Sequence, residues 1–284
     1  MVDFDELWDY GRPAETEAKF RALLPEAEAA GDADYLAQLL TQLARTLGLQ
    51  RQFAAAHELL DRVEGVAQAG TIAQVRCLLE RGRCFNSAGD KGAARPLFMA
   101  AYEQAAVLGA DFYTVDALHM LAIVDPSAAQ IEWNEQALAV AAQSDDPRAR
   151  GWVGSLTNNL AWTYHDLGNY DRALVLFEQA LAFRQAQGNA ENIRVAKWCI
   201  ARTLRSLGRV EEALARQQEL AAGEQDGYVF EELGECLLLL GRAEEARPYF
   251  GQAYGLLSQD GWLVANEGAR LERLKRLGEG EIGD

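Results

Sequence analysis

Residues 160–173 read Leu160-Ala161-Trp162-Thr163-Tyr164-His165-Asp166-Leu167-Gly168-Asn169-Tyr170-Asp171-Arg172-Ala173, and the pattern continues to Phe177 and Ala180. A second stretch keeps the same spacings: Phe230, Leu233-Gly234, Leu237, Gly241-Arg242, Ala246, Phe250 and Ala253. From the small residue to the glycine is seven positions, 161 to 168 and 234 to 241. The next alanine follows after five, a large residue after four more, and a small one after three. Apolar residues at steps of three and four mark one face of a helix. The glycine accepts a left-handed backbone and so ends that helix. Ala-x-x-x-Phe then opens a second helix that packs back on the first.

The unit recurs. Gly82, Phe85, Gly89-Asp90, Ala94, Phe98 and Ala101 form a third copy. Ala201, Leu204, Gly208-Arg209, Ala213, Gln217 and Leu220 form a fourth. Leu43-Ala44, Leu47, Ala56, Leu60 and Val63 form a fifth, with Arg51 where the glycine is expected. A sixth, around Leu118 to Ala142, is short: Ala122 to Ala137 spans 15 residues against 19 from Ala161 to Ala180. Asp125-Pro126 suits a sharp stop there, because the residue before proline avoids helix. The anchors at 44, 82, 122, 161, 201 and 234 lie 38, 40, 39, 40 and 33 apart.

These copies resemble the tetratricopeptide repeat (TPR), whose pattern is W-x-x-L-G-x-x-Y followed by A-x-x-x-F. The long period of about 38–40 residues is similar to that of kinesin light chain, of cell-polarity adaptors and of bacterial sensory and regulatory TPR proteins. The resemblance implies an all-α, right-handed superhelical solenoid of antiparallel helix pairs over residues 1–284. Its expected parts are a partial unit at 1–30, repeats at 34–68, 72–108, 112–143, 150–187, 191–222 and 227–257, and a capping helix at 261–278. One such hairpin cannot bury its own apolar faces, so stacking is obligatory.

Composition agrees. Only 6 of 284 residues are proline, and 49% are hydrophobic. The net charge of −16 and pI near 4.7 disfavour a phosphate backbone as partner. Lysine occurs only at 19, 91, 197 and 275, so arginine carries most positive charge. The acidic start Met1-Val2-Asp3-Phe4-Asp5-Glu6 is unlike a secretory signal, and no apolar run approaches the ~20 residues of a membrane helix, so a cytoplasmic protein is expected. Cys77, Cys84, Cys199 and Cys236 form no C-x-x-C and no Cys/His cluster, which reads as buried, reduced packing cysteine rather than zinc ligation.

No enzyme motif is present: no Walker A, no G-x-G-x-x-G after a strand, no H-E-x-x-H and no G-x-S-x-G. Neither catalysis nor a cofactor is expected. The resemblance implies a concave face lined by the first helix of each pair. In phase, that face collects Arg45, Arg76, Arg83, Asn86, His119, Asn158, Trp162, His165, Trp198, Arg202 and Arg205. Arginine and tryptophan dominate interface energetics, and arginine grips carboxylates bidentately. Asn158 has the donor and acceptor to hold a peptide amide. The expected function is a peptide-binding scaffold holding an extended acidic segment. A signalling-peptide or small-ligand sensor and a homo-oligomer are the alternatives, the last through Phe4, Leu7, Trp8 and Tyr10. The expected partner is thus a protein or peptide, not nucleic acid or membrane, bound by a monomer or weak homo-oligomer.

Overall fold

The computed structural model describes residues 2–281, which form helices without strands. Ahead of the first helix is a 3-10 turn, Phe4–Leu7. The helices are α1 (Pro13–Ala30), α2 (Ala33–Leu49), α3 (Phe53–Val66), α4 (Ile72–Ser87), α5 (Lys91–Val107), α6 (Asp111–Val124), α7 (Ser127–Gln143), α8 (Pro147–Arg150), α9 (Val153–Asp166), α10 (Tyr170–Gln187), α11 (Ala190–Ser206), α12 (Val210–Ala221), α13 (Gly227–Leu239), α14 (Ala243–Leu257), α15 (Gly261–Asn266) and α16 (Gly268–Glu279). The chain divides into two compact units between Leu156 and Thr157. In the first, α2 packs on α3, α4 on α5 and α6 on α7; in the second, α11 packs on α12 and α13 on α14.

The turn inside every pair but α6–α7 is built one way. The third residue of the turn donates its N–H to a carbonyl five residues back: Gln52 to Leu47, Asp90 to Phe85, Asn169 to Tyr164, Arg209 to Leu204 and Arg242 to Leu237, each at 2.9 Å. This bond needs a left-handed residue just before it. Glycine supplies it at 89, 168, 208 and 241, and Arg51 adopts φ 60° without that freedom, alone among the described non-glycine residues.

The small residue of the first helix faces the aromatic of the second. A Cβ on Gly82 would lie 2.4 Å from the Phe98 ring, and one on Gly234 2.7 Å from Phe250. Phe98, Phe177 and Phe250 are fully buried. In the α11–α12 pair the aromatic is replaced by Gln217, which is 0% exposed.

The short sixth copy loses its residues in a specific place. Helix α6 stops two residues after Ala122, whereas α9 runs five beyond Ala161, and the turn that follows has two residues instead of three. So three of the four missing residues come from the helix and one from the turn. Pro126 drives Asp125 into extended backbone (ψ 158°). The buried Asp125 carboxylate then accepts Arg95 Nε at 2.7 Å and the Trp133 indole at 2.9 Å, which pins the shortened end. At the C-terminal end the single capping helix expected at 261–278 is two helices. They are interrupted at Glu267 (φ −125°), and α16 packs on α14. All four cysteines are free and buried, and burial pushes the Cys199 and Cys236 thiols up to about 12.

Gln217 provides a direct test of this packing. Neither its Oε1 nor its Nε2 has a hydrogen-bond partner. A buried, unsatisfied amide costs about 1–3 kcal/mol. Gln217→Leu, of similar volume, is expected to stabilise the chain by ~1–2 kcal/mol. A urea midpoint that is unchanged or lowered would show that the amide is satisfied after all.

Candidate functional site

The inner faces of α2, α4 and α6 are joined by arginines that reach from one helix to a carboxylate on the next. Arg45 on α2 donates to Glu80 on α4 at 3.1 and 3.2 Å. Arg83 on α4 donates to Glu80 at 2.6 Å and also reaches Asp116 on α6. Arg76 on α4 pairs with Asp5 of the N-terminal turn and donates to Gln38 Oε1 at 2.9 Å. Arg148 on α8 pairs with Asp146 at 3.0 Å. Four arginines thus meet four carboxylates.

Around this lattice lie three adjoining cavities of about 330, 360 and 270 Å³. The first is walled by Trp8, Tyr10, Phe112, Tyr113 and Trp152 together with the lattice charges. It shares Arg45, Glu80 and Arg83 with the second, which extends to Asn86 and Met120. It shares Asp5, Arg76, Phe112, Tyr113 and Arg148 with the third. The result is a groove within the first unit, floored by fixed charge and edged by aromatic rings. The guanidinium of Arg148 sits 4.7 Å above Phe112, and that of Arg45 lies 5.4 Å from Tyr10.

Of the residues expected on the concave face, Arg45, Arg83 and Asn86 line this groove, and Arg76 lines it although only 6% exposed. The arginines expected to grip an acidic segment are not free cations. The sequence places like-charged arginines in phase, but each is neutralised by a carboxylate from a different helix. His119 is no surface cation either. It lies 5.1 Å from Trp152 with its Nδ1 unpartnered, and burial holds its pKa down, aided by Arg83 and opposed by Asp116.

The second unit has its own set. Trp162 lies 6.1 Å from Trp198, and Trp198 lies 6.1 Å from Tyr228. The Arg202 guanidinium sits 6.0 and 5.8 Å from the two indoles while pairing with the buried Glu232, which also accepts Arg205 at 2.7 Å. Burial lowers the pKa of His165, whose Nε2 is 3.0 Å from Ser206 Oγ. Asn158 is half-buried, with the Cys199 thiol 3.8 Å from its Oδ1. Here too the arginines are held rather than free.

The sequence reading missed most aromatic walls. Phe112, Tyr113 and Trp152 lie before or between recognisable repeat positions, and Arg148 belongs to the four-residue helix α8, which the repeat pattern does not contain. The cluster Phe4, Leu7, Trp8 and Tyr10 is largely turned inward: Phe4 is buried against Phe20 and Tyr35, Leu7 and Trp8 are partly buried against the same core, and Tyr10 is exposed. Among the described residues no helix is long and apolar enough to cross a membrane, and no group of three His, Cys, Asp or Glu is placed to hold a metal ion.

Stacked antiparallel helix pairs with short glycine turns, whose first helices line a groove, define a helical-repeat protein. Residues 153–186, spanning the α9–α10 pair, match the family model of the tetratricopeptide repeat. The same helix pair recurs along the sequence, so the chain is built of TPR-like units beyond the matched residues. No curated protein matches it. Among solved structures, the apo form of RapI is similar with a TM-score of 0.73 at 13% identity, over 98% of this chain and 82% of RapI. The apo quorum sensor NprR from B. thuringiensis gives 0.70 at 16% identity, over 99% of this chain and 81% of NprR. NprR in complex with its cognate peptide NprX gives 0.60 at 16%, over 99% and 84%. At these identities the likeness is one of fold.

Two predictions follow from the charge lattice. Glu80 is 4% exposed and compensates two arginines. Removing one partner of a buried pair leaves the other charge uncompensated, so Glu80→Gln is expected to cost about 2–4 kcal/mol in urea denaturation. Glu245→Gln, at an exposed pair, should leave the midpoint in place. Equal effects from the two would remove the lattice from the stability argument. The lowered pKa of His119 means the unfolded chain takes up its proton first as pH falls. The associated stability is full above the ordinary histidine value of ~6.5 and declines below it. His119→Gln should flatten the loss of stability below about pH 6.5, and an unaltered slope would show that this imidazole stays accessible to protons.

Proposed function

We propose that the chain is a non-catalytic binding protein that holds an extended peptide segment in the groove of its first unit. The observation that carries this reading is the three adjoining cavities edged by aromatic rings, Phe112, Tyr113 and Trp152 among them, over a floor of paired arginines and carboxylates. Aromatic walls provide contact area at low entropic cost, and fixed charges orient polar groups without first having to be ordered. The fold likeness to NprR, solved with its cognate peptide, supports a peptide as ligand. The likeness to that quorum sensor also favours the narrower reading of a sensor, in which the bound peptide is a signal.

The paired arginines refine the acidic character expected of that peptide. A polyanionic run would gain little, because Arg45, Arg76, Arg83 and Arg148 already have carboxylate partners; of the described arginines lining the cavities only Arg51, at the edge of the second, is without one. A segment bearing one or two carboxylates fits better, each taking over an arginine from a carboxylate already in place. Such a protein works in an aqueous compartment, in keeping with the cytoplasmic expectation, and meets its partner as a monomer or weak oligomer.

Peptide display against the full chain, followed by anisotropy with the selected peptides, tests this. Arg148→Glu, at a half-exposed groove side chain, and Phe112→Ala are each expected to weaken binding at least ~10-fold, equivalent to ~1.4 kcal/mol. Lys19→Glu, exposed on α1, should not. Selected peptides that bind all variants alike would place the site elsewhere.

A further inference from the structure

The groove already holds something. We infer that residues 5–10 are an intramolecular occupant of the proposed peptide groove. They mark its ligand as an extended segment that pairs an acidic side chain with aromatic rings, and that must displace them to bind. This rests on the peptide-binding reading above and names both its ligand class and its regulation.

The segment Asp5-Glu6-Leu7-Trp8-Asp9-Tyr10 makes the contacts an incoming peptide would make. The Asp5 carboxylate takes the guanidinium of Arg76, a side chain 7% exposed and without another acid partner. The Trp8 indole donates to Gln42 Oε1 at 3.0 Å. Trp8 and Tyr10 stack with centroids 4.6 Å apart and planes 6° apart, and Arg45 lies 6.0 and 5.4 Å from the two rings. Asp5, Trp8 and Tyr10 themselves wall the central cavity. A carboxylate on one groove arginine and rings on another is also the chemistry that the neutralised floor calls for.

The segment differs from an ordinary structural cap in how it is held. Its ends are anchored: Phe4 is buried, the Tyr35 hydroxyl donates to Val2 O at 3.0 Å, and Asp9 N–H donates to Thr16 Oγ1 at 3.1 Å. Between the anchors the segment meets the groove through the Asp5–Arg76 ion pair, one hydrogen bond and cation–π contacts, while Leu7 and Trp8 also rest on the core beside Phe20. A ligand that brings its own carboxylate to Arg76 and rings to Arg45 leaves neither arginine uncompensated, so it can take the segment's place. The covalent tether gives the segment a high effective concentration, which sets the threshold such a ligand must exceed.

The test uses a fluorescein-labelled synthetic peptide of residues 2–12 and anisotropy. The proteins are the full chain, a variant lacking residues 1–11, and Trp8→Ala/Tyr10→Ala, which loosens the strap but keeps Phe4 in its packing. The peptide is expected to bind the truncated and loosened variants at least 10-fold more tightly than the full chain. It should lose at least 10-fold in affinity when it carries Asp5→Asn and Trp8→Ala. If truncation unfolds the chain, the loosened variant decides. Exchange of the segment between copies would appear as a dimer in light scattering that the peptide dissolves, and supports the same assignment. Equal affinity for full and loosened chains, or no binding to a folded loosened variant, overturns the inference. If display-selected peptides still bind at the groove in that case, the peptide-binding reading survives alone. If they too are insensitive to Arg148→Glu and Phe112→Ala, both fail.

Discussion

The close approach of the two helices in each pair is the constraint on which the rest of the molecule depends. At Gly82 and Gly234 the first helix has no side chain where the ring of Phe98 or Phe250 arrives, and any Cβ there would overlap it. Alanine at 161 is the largest residue found opposite a phenylalanine at this position, Phe177. The ring consumes one face of the first helix. The glycine turn, with its repeated 2.9 Å bond, consumes that helix's end. What remains of the first helix must serve both the joint to the next pair and the groove.

The joint is electrostatic as much as apolar. The links Arg45 to Glu80, Arg83 to Asp116, Arg202 to Glu232 and Arg205 to Glu232 span 35, 33, 30 and 27 residues, about one repeat each. A chain of net charge −16 therefore uses its scarce cations to tie successive first helices together. Buried charge is costly to desolvate and gains stability only when its partners are fixed. Once fixed, it forms a rigid polar floor that needs no reordering when a ligand arrives. The same arrangement removes most of the free positive charge that would have drawn a strongly acidic ligand.

Much of the fold is legible in the sequence because a repeat writes the same local physics many times. Small residue, turn glycine, alanine and aromatic each have a local cause, and their coincidence in phase shows the helix pairs. Even the irregular copy announces itself through Asp125-Pro126, although not that the loss falls on the end of α6. The break at Glu267 was not legible, since Trp262 to Leu277 carries no proline and keeps a helical stripe. The candidate site was legible in part. Arg45, Arg76 and Arg83 could be placed by phase, but Asp5, Trp8 and Arg148 lie outside the expected repeats, and Phe112 and Trp152 stand at the edges of two of them, away from the signature positions.

The sequence by itself determined the helical class, the period, the turn chemistry and the identity of the residues buried between paired helices. All of these depend on interactions within about 40 residues, and a one-dimensional pattern can express them. Only the tertiary structure decided the electrostatic character of the groove. Whether Arg83 is a free cation or a bound strut depends on Glu80 beside it and on Asp116, 33 residues away, and charge compensation is a property of distances in space. It also decided what Trp8 and Tyr10 do. In sequence they are an aromatic cluster near one end; in space they are stacked within reach of Arg45, on the wall of the groove.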